Sequence, residues 1–150
     1  MENTHYYEVS VNWNEGRTGT MDSPALNKEI TVATPPEFAK GVPGIWSPEH
    51  LFTAAINSCL MTTFLAIAEN FKLEFTGFSS RATGKLEIVD GKYMMSEVTL
   101  EPILTIPHQG MEEKAMRVLQ KAEAACLISN SVRSSIIFHP QVLVQQAANA

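Results

Sequence analysis

The residues of this chain best suited to bond-making chemistry are its two cysteines, Cys59 and Cys126. A thiolate is a strong nucleophile, and two thiols that meet can exchange electrons by forming and breaking a disulfide. Such a bond needs Cα atoms within roughly 7 Å, and neither the count nor the spacing of the pair fixes that distance. Residue types alone therefore leave two readings open: a reversible redox pair, or two thiols packed as small hydrophobes. Metal chemistry is disfavoured, because His5, His50, His108 and His139 are scattered and no CxxC, HxH or HExxH spacing occurs. No bound metal or cofactor is expected.

The chain around these thiols has 150 residues, which predicts one domain over 1–150 with a core large enough to stand without staples. Apolar residues make up 45% and charged residues 18%, which excludes a disordered or coiled-coil chain. The net charge is −5 without a basic run, so no nucleic-acid partner is expected. The longest apolar run, Leu60 to Ala68, contains Thr62 and Thr63 and falls short of the ~20 residues that cross a bilayer. The start, MENTHYYEVS, has neither a cationic region nor an apolar stretch. No membrane association and a cytoplasmic location are the resulting expectations, and in a reducing compartment a permanent Cys59–Cys126 disulfide is disfavoured.

Several elements must position the cysteines. Tyr7, Val9, Val11 and Trp13 alternate with polar residues, which predicts a half-buried strand. NEGRTG then marks a turn around Arg17, with strands starting at Thr20 and Ile30. TPPEFAKGVPG reads as a loop. Ser47-Pro48-Glu49 opens a helix: serine caps it, proline suits its first position, and glutamate complements its positive end. Apolar residues then recur through Cys59 to Ala68, almost all round, which predicts a central helix. Phe75 to Val89 and Tyr93 to Ile106 read as two strands joined by Asp90-Gly91, with Pro102 bending the second or placing it at an edge. Met111 to Cys126 forms an amphipathic helix with Cys126 ending its buried stripe. LISNSVRSS is a turn or helical stub, and Ile136 to Val144 a last strand broken at Pro140. The sum is an α+β fold.

Three segments together resemble the OsmC/Ohr family, the osmotically induced protein C and organic hydroperoxide resistance proteins. SPEHLFTAAINSC is similar to the family's first-cysteine helix, KAEAACLISNSV to its second-cysteine segment, and GRTG to its arginine turn. The resemblance implies an OsmC-like fold, with antiparallel sheets packed around a buried central helix, and an intertwined homodimer. It implies a thiol peroxidase for organic hydroperoxides in which Cys59 attacks, Cys126 resolves the sulfenic acid as a disulfide, and Arg17 with Glu49 prepares the site. An external dithiol such as dihydrolipoamide would restore the pair. The chain departs from the pattern at Leu127, where members commonly carry proline. The alternative on the same fold is a hydrophobic-ligand-binding or redox-sensing protein without turnover.

Helix geometry adds a constraint. Glu49 and Cys59 are ten residues apart, a rise of ~15 Å and an angular offset of ~80° on a straight helix. They cannot meet within one straight helix, so a Glu49 that serves Cys59 comes from a second chain or the helix bends; a second chain is the favoured expectation. The thiol helix carries Phe52, Ile56, Leu60 and Met61, which predicts an apolar pocket for alkyl or lipid hydroperoxides, with Phe38 and Trp46 as a lid. Arg81 is a rival cation, but its place in a strand predicts a cross-strand charge pair.

Overall fold

The structure is a computed structural model and describes residues 3–146. The chain divides into two compact units, 1–51 and 52–150. In the first, strands β1 (Ser10–Glu15), β2 (Thr18–Asp22) and β3 (Ile30–Ala33) form an antiparallel sheet in the order β1-β2-β3. The β1–β2 turn places Gly16 at φ +51°, a conformation that glycine adopts without steric cost, and sets Arg17 at its tip. The Trp13 indole donates to the Gly16 carbonyl at 3.0 Å and ties the turn to the strand. Every residue of β1 is exposed, including Val11 and Trp13. This corrects the expected half-buried strand: the alternation is present, but its apolar side chains are exposed.

Helix α1 spans Pro48–Asn70. Its start matches the capping signal, since the buried Ser47 hydroxyl accepts the His50 backbone N–H at 3.1 Å. Within the second unit, Asn57 on α1 donates to the Ser80 carbonyl at 2.9 Å and accepts from the Ser80 hydroxyl at 2.6 Å. These two bonds fix the helix's rotation against strand β4 (Gly77–Val89). Ile56, Leu60, Phe64 and Ala68 line one buried stripe, joined by Cys59, while Met61, Leu65 and Phe71 remain exposed. The helix is thus covered along one side rather than all round. At 23 residues, with a mean hydropathy of 1.7 over its most apolar stretch, α1 is long and apolar enough to cross a membrane by length and composition. The apolar run Leu60 to Ala68 is only the C-terminal part of this helix, which also takes in the polar Asn57 and Ser58 and the apolar residues before them. Ile56, Leu60 and Phe64 are nonetheless fully buried in protein.

Strand β4 pairs antiparallel with β5 (Lys92–Ile106) through a turn in which Asp90 and Gly91 both have positive φ, as a two-residue hairpin of matching twist requires. The ladder shifts register between Lys85 and Leu86, beside Gly84, where a side chain would run into Thr53 and Met95. On its other edge β5 pairs in parallel with two short strands, β6 (Ser135–Phe138) and β7 (Gln141–Val144). The predicted last strand is therefore two, separated by His139-Pro140. Pro102 is not at an edge. It lies in the central strand, between the stretch that pairs with β6 (Glu97–Leu100) and the stretch that pairs with β7 (Ile103–Ile106). Helix α2 (Glu112–Ala125) buries Ala115, Val118, Leu119 and Ala122 in the same core as the α1 stripe and Val98, Leu100, Leu104 and Ile106 of β5.

Candidate functional site

Helix α1 carries Cys59 on its buried stripe, and Cys126 caps the end of α2, fully buried. The backbone of Cys126 leaves the helix at φ −64°, ψ 110°, so the chain turns sharply and the residues after it fold back. A short 3-10 turn at Ser129–Ser131 completes the reversal, held by the Asn130 N–H on the Cys126 carbonyl at 3.0 Å. The two sulfurs come within hydrogen-bonding reach of each other as free thiols.

Their environments differ. Burial pushes the Cys59 thiol up. Against this, the Ile128 N–H, the Cys126 thiol, the Thr63 hydroxyl and the Leu127 N–H all donate to its sulfur, and together they hold it below the ordinary thiol value. The Thr63 hydroxyl lies 3.7 Å from that sulfur. Burial also pushes Cys126 up; the Ser129 hydroxyl and N–H work against it, and the negative charge that Cys59 acquires raises it again. The net direction for Cys126 is upward. Of the two, Cys59 therefore ionises more readily, and Cys126 holds its proton more tightly.

Arg17 and Glu49 are brought together in the first unit. Both line an open cleft of ≈ 760 Å³ whose other walls include Val11, Trp13, Val32 and Phe38. The Arg17 side chain is exposed, and its backbone carbonyl accepts from the Thr34 N–H at 3.2 Å. Glu49 is half-buried, with its Oε1 shielded from solvent. Ion pairs found among the described residues include Arg81–Glu101, Lys85–Glu87 and His108–Glu74.

Other expectations divide. Arg81 faces Glu101 across β4 and β5 at 2.9 Å, which assigns it the cross-strand role and removes it as a rival cation. Ile56 and Leu60 are fully buried in the core, with Phe52 packed against them, so they hold the helix rather than line a pocket. Trp46 is half exposed and bridges to Val32, while Phe38 does line the Arg17 cleft. Sequence reasoning missed Thr63, Ser129 and the N–H groups of Leu127 and Ile128. Thr63 was open to discovery, because it lies four residues after Cys59 on the same helical face. Backbone donors carry no residue-type signal at all. Among the described residues no three His, Cys, Asp or Glu side chains cluster as metal ligands.

The family model for OsmC-like protein matches residues 41–140. An OsmC-like protein of unknown function from Vibrio cholerae superposes with a TM-score of 0.81 at 21% identity, covering 91% of this chain and 99% of that one. An organic hydroperoxide resistance protein from Elizabethkingia anophelis superposes with a TM-score of 0.75 at 23% identity, covering 97% and 100%. In sequence, the uncharacterized Bacillus subtilis protein YmaD is 22% identical over 137 residues, 88% of this chain and 89% of its own length.

Proposed function

Because this chain belongs to the OsmC-like family, we propose that it is a thiol-dependent peroxidase that reduces organic hydroperoxides. The observation that carries the reading is the opposed pair: a Cys59 sulfur rich in donors, with the Cys126 thiol beside it. Fold relatives from Elizabethkingia anophelis and Legionella pneumophila that are named organic hydroperoxide resistance proteins agree with it.

The chemistry runs in two steps. The Cys59 thiolate attacks the outer oxygen of the hydroperoxide. An S–O bond forms, the O–O bond breaks, and the alkoxide leaves as alcohol after taking a proton. Cys126, as thiolate, then attacks the Cys59 sulfenic acid. An S–S bond forms, the S–O bond breaks, and hydroxide leaves as water. A dithiol of the dihydrolipoamide kind reduces the Cys59–Cys126 disulfide by exchange.

Thiolate formation alone does not make this fast. A thiol with a pKa of ~8.5 is only a few per cent ionised at neutral pH, so complete ionisation gains at most ~30-fold. The accompanying loss of nucleophilicity, taken from the slope of disulfide exchange, costs ~20-fold over three units. The larger contribution must come from positive charge facing the departing oxygen. We assign this to Arg17, whose guanidinium stays charged and is planar, with Glu49 orienting it.

A homodimer completes the reading, with Arg17 and Glu49 serving Cys59 of the second copy. The uncovered face of β1 and the exposed Met61, Leu65 and Phe71 of α1 are the surfaces such a copy would cover. The apolar cleft walls favour alkyl or lipid hydroperoxides as substrates, and a cytoplasmic location fits a dithiol reductant. The test is a thiol count after reduced protein meets cumene hydroperoxide. Loss of both thiols, reversed by a dithiol, is the expected result. Persistence of both would leave the hydrophobic-ligand reading in its place, and slow oxidation without turnover the sensor.

A further inference from the structure

Ser129 has a feature that the two-step chemistry above leaves unused. Its side chain is buried, at 8% exposure, and its Oγ meets no protein partner in hydrogen-bonding geometry. A buried hydroxyl without an acceptor costs free energy, and such groups are rare in folded chains. This one is held in place by the chain reversal after α2: the 3-10 turn begins at Ser129 itself, and the Asn130 N–H bonds back to the Cys126 carbonyl at 3.0 Å. That reversal turns the hydroxyl toward the Cys126 sulfur.

We propose that Ser129 is a catalytic hydrogen-bond donor for the resolving step, its hydroxyl bonding to the Cys126 thiolate as that sulfur attacks the Cys59 sulfenic acid. The proposal rests on the peroxidase reading. A neutral thiol is a poor acceptor, which is why the hydroxyl is unsatisfied in the reduced protein; an anionic sulfur is a good one, and bonds to charged acceptors are about twice as strong.

The order of events follows from charge. In the reduced protein, the Cys59 thiolate takes the Cys126 proton as a hydrogen bond, and its negative charge opposes ionisation of Cys126. Reaction with a hydroperoxide replaces that thiolate by a neutral sulfenic acid. The repulsion then vanishes, and the Ser129 hydroxyl and N–H are left as the groups that favour a Cys126 thiolate. The second nucleophile is thereby armed only after the first has reacted.

Two measurements on Ser129→Ala test this, and the hydroxyl's lack of a partner means that the variant keeps its fold. In a Cys59→Ala background, alkylation of Cys126 against pH should shift to a higher midpoint when Ser129→Ala is added, and Ser129→Thr should restore it. With both cysteines present, a single turnover of cumene hydroperoxide should leave the Cys59 sulfenic acid to be trapped by dimedone, with disulfide closure slowed about tenfold. An unchanged midpoint overturns the proposal whatever the peroxide chemistry does. A shifted midpoint with unchanged closure overturns the assigned step while leaving the peroxidase reading intact. A wild-type protein that forms no sulfenic acid removes that reading, and this step with it.

Discussion

The Cys126 thiol donates to the Cys59 sulfur, and this single contact moves the two groups in opposite directions. For Cys59, the thiol joins backbone and hydroxyl donors that outweigh burial; for Cys126, the charge on Cys59 adds to burial. The pair shares its protons, so each titration belongs to both.

The contact predicts how each thiol reacts when the other is removed. A lowered pKa places the thiolate at lower pH, so alkylation of Cys59 should rise with a midpoint below that of an unperturbed thiol. In Cys126→Ala that midpoint should move up, because one donor is lost. In Cys59→Ala the Cys126 midpoint should move down, because the opposing charge is gone. Iodoacetamide labelling followed by mass spectrometry across pH reads both, and shifts of the opposite sign would show that the thiols do not communicate in this way.

Leu127 offers a sharper probe. Its N–H donates to the Cys59 sulfur. Cys126 already has φ −64° and ψ 110°, the extended geometry that a residue before proline prefers. Leu127→Pro should therefore fold and keep Cys126 aimed while deleting one donor. The expected outcome is a higher Cys59 titration midpoint with disulfide formation retained. An unchanged midpoint would remove the Leu127 amide from the site.

Much of this was legible in the sequence for identifiable reasons. The caps at Ser47 and the positive-φ turn at Asp90-Gly91 are local and carry their own residue signatures. The α2 stripe is periodic, and its period placed Cys126 on the buried side. What escaped detection was non-local or made of backbone. That β6 and β7 pair in parallel with β5 depends on how the chain returns after α2, which no residue pattern announces. The donors at Leu127 and Ile128 are N–H groups common to nearly every residue. Ser129 stood in a stretch read as a turn or helical stub, where a serine is also an ordinary residue. The exposure of β1 escaped for a different reason: alternation reports that a face wants cover, not that the same chain provides it.

That uncovered surface predicts assembly. Leu65 on α1 is 42% exposed in the single chain, so a charge there should change the stability of an isolated chain by no more than about 0.5 kcal/mol. Buried at an interface between copies, the same charge would be unpaired in an apolar contact and strongly unfavourable. Wild type should elute from size-exclusion chromatography as a dimer at low concentration, and Leu65→Glu as a folded monomer. A wild type that stays active as a monomer would end the dimer proposal.

The role proposed for Arg17 separates charge placement from thiolate formation. If Arg17 acted by ionising Cys59, its loss would raise the alkylation midpoint and slow peroxide turnover by no more than the ~30-fold available from ionisation. If it acts on the departing oxygen, the penalty falls on the transition state alone. Lysine keeps the positive charge but lacks the planar fork that can span two atoms at once. Arg17→Lys should therefore lower kcat/KM for cumene hydroperoxide by about 10²-fold or more, the range seen when a preorganised donor to a developing oxyanion is removed. The Cys59 midpoint should stay where it is, because the donors identified at its sulfur come from Thr63, Cys126, Leu127 and Ile128. The exposed position of Arg17 at the turn tip makes the substitution mild for folding, so a loss of rate would not reflect a loss of structure. Full turnover in Arg17→Lys would return this residue to a solvated turn, and the cleft it shares with Glu49 would need another function.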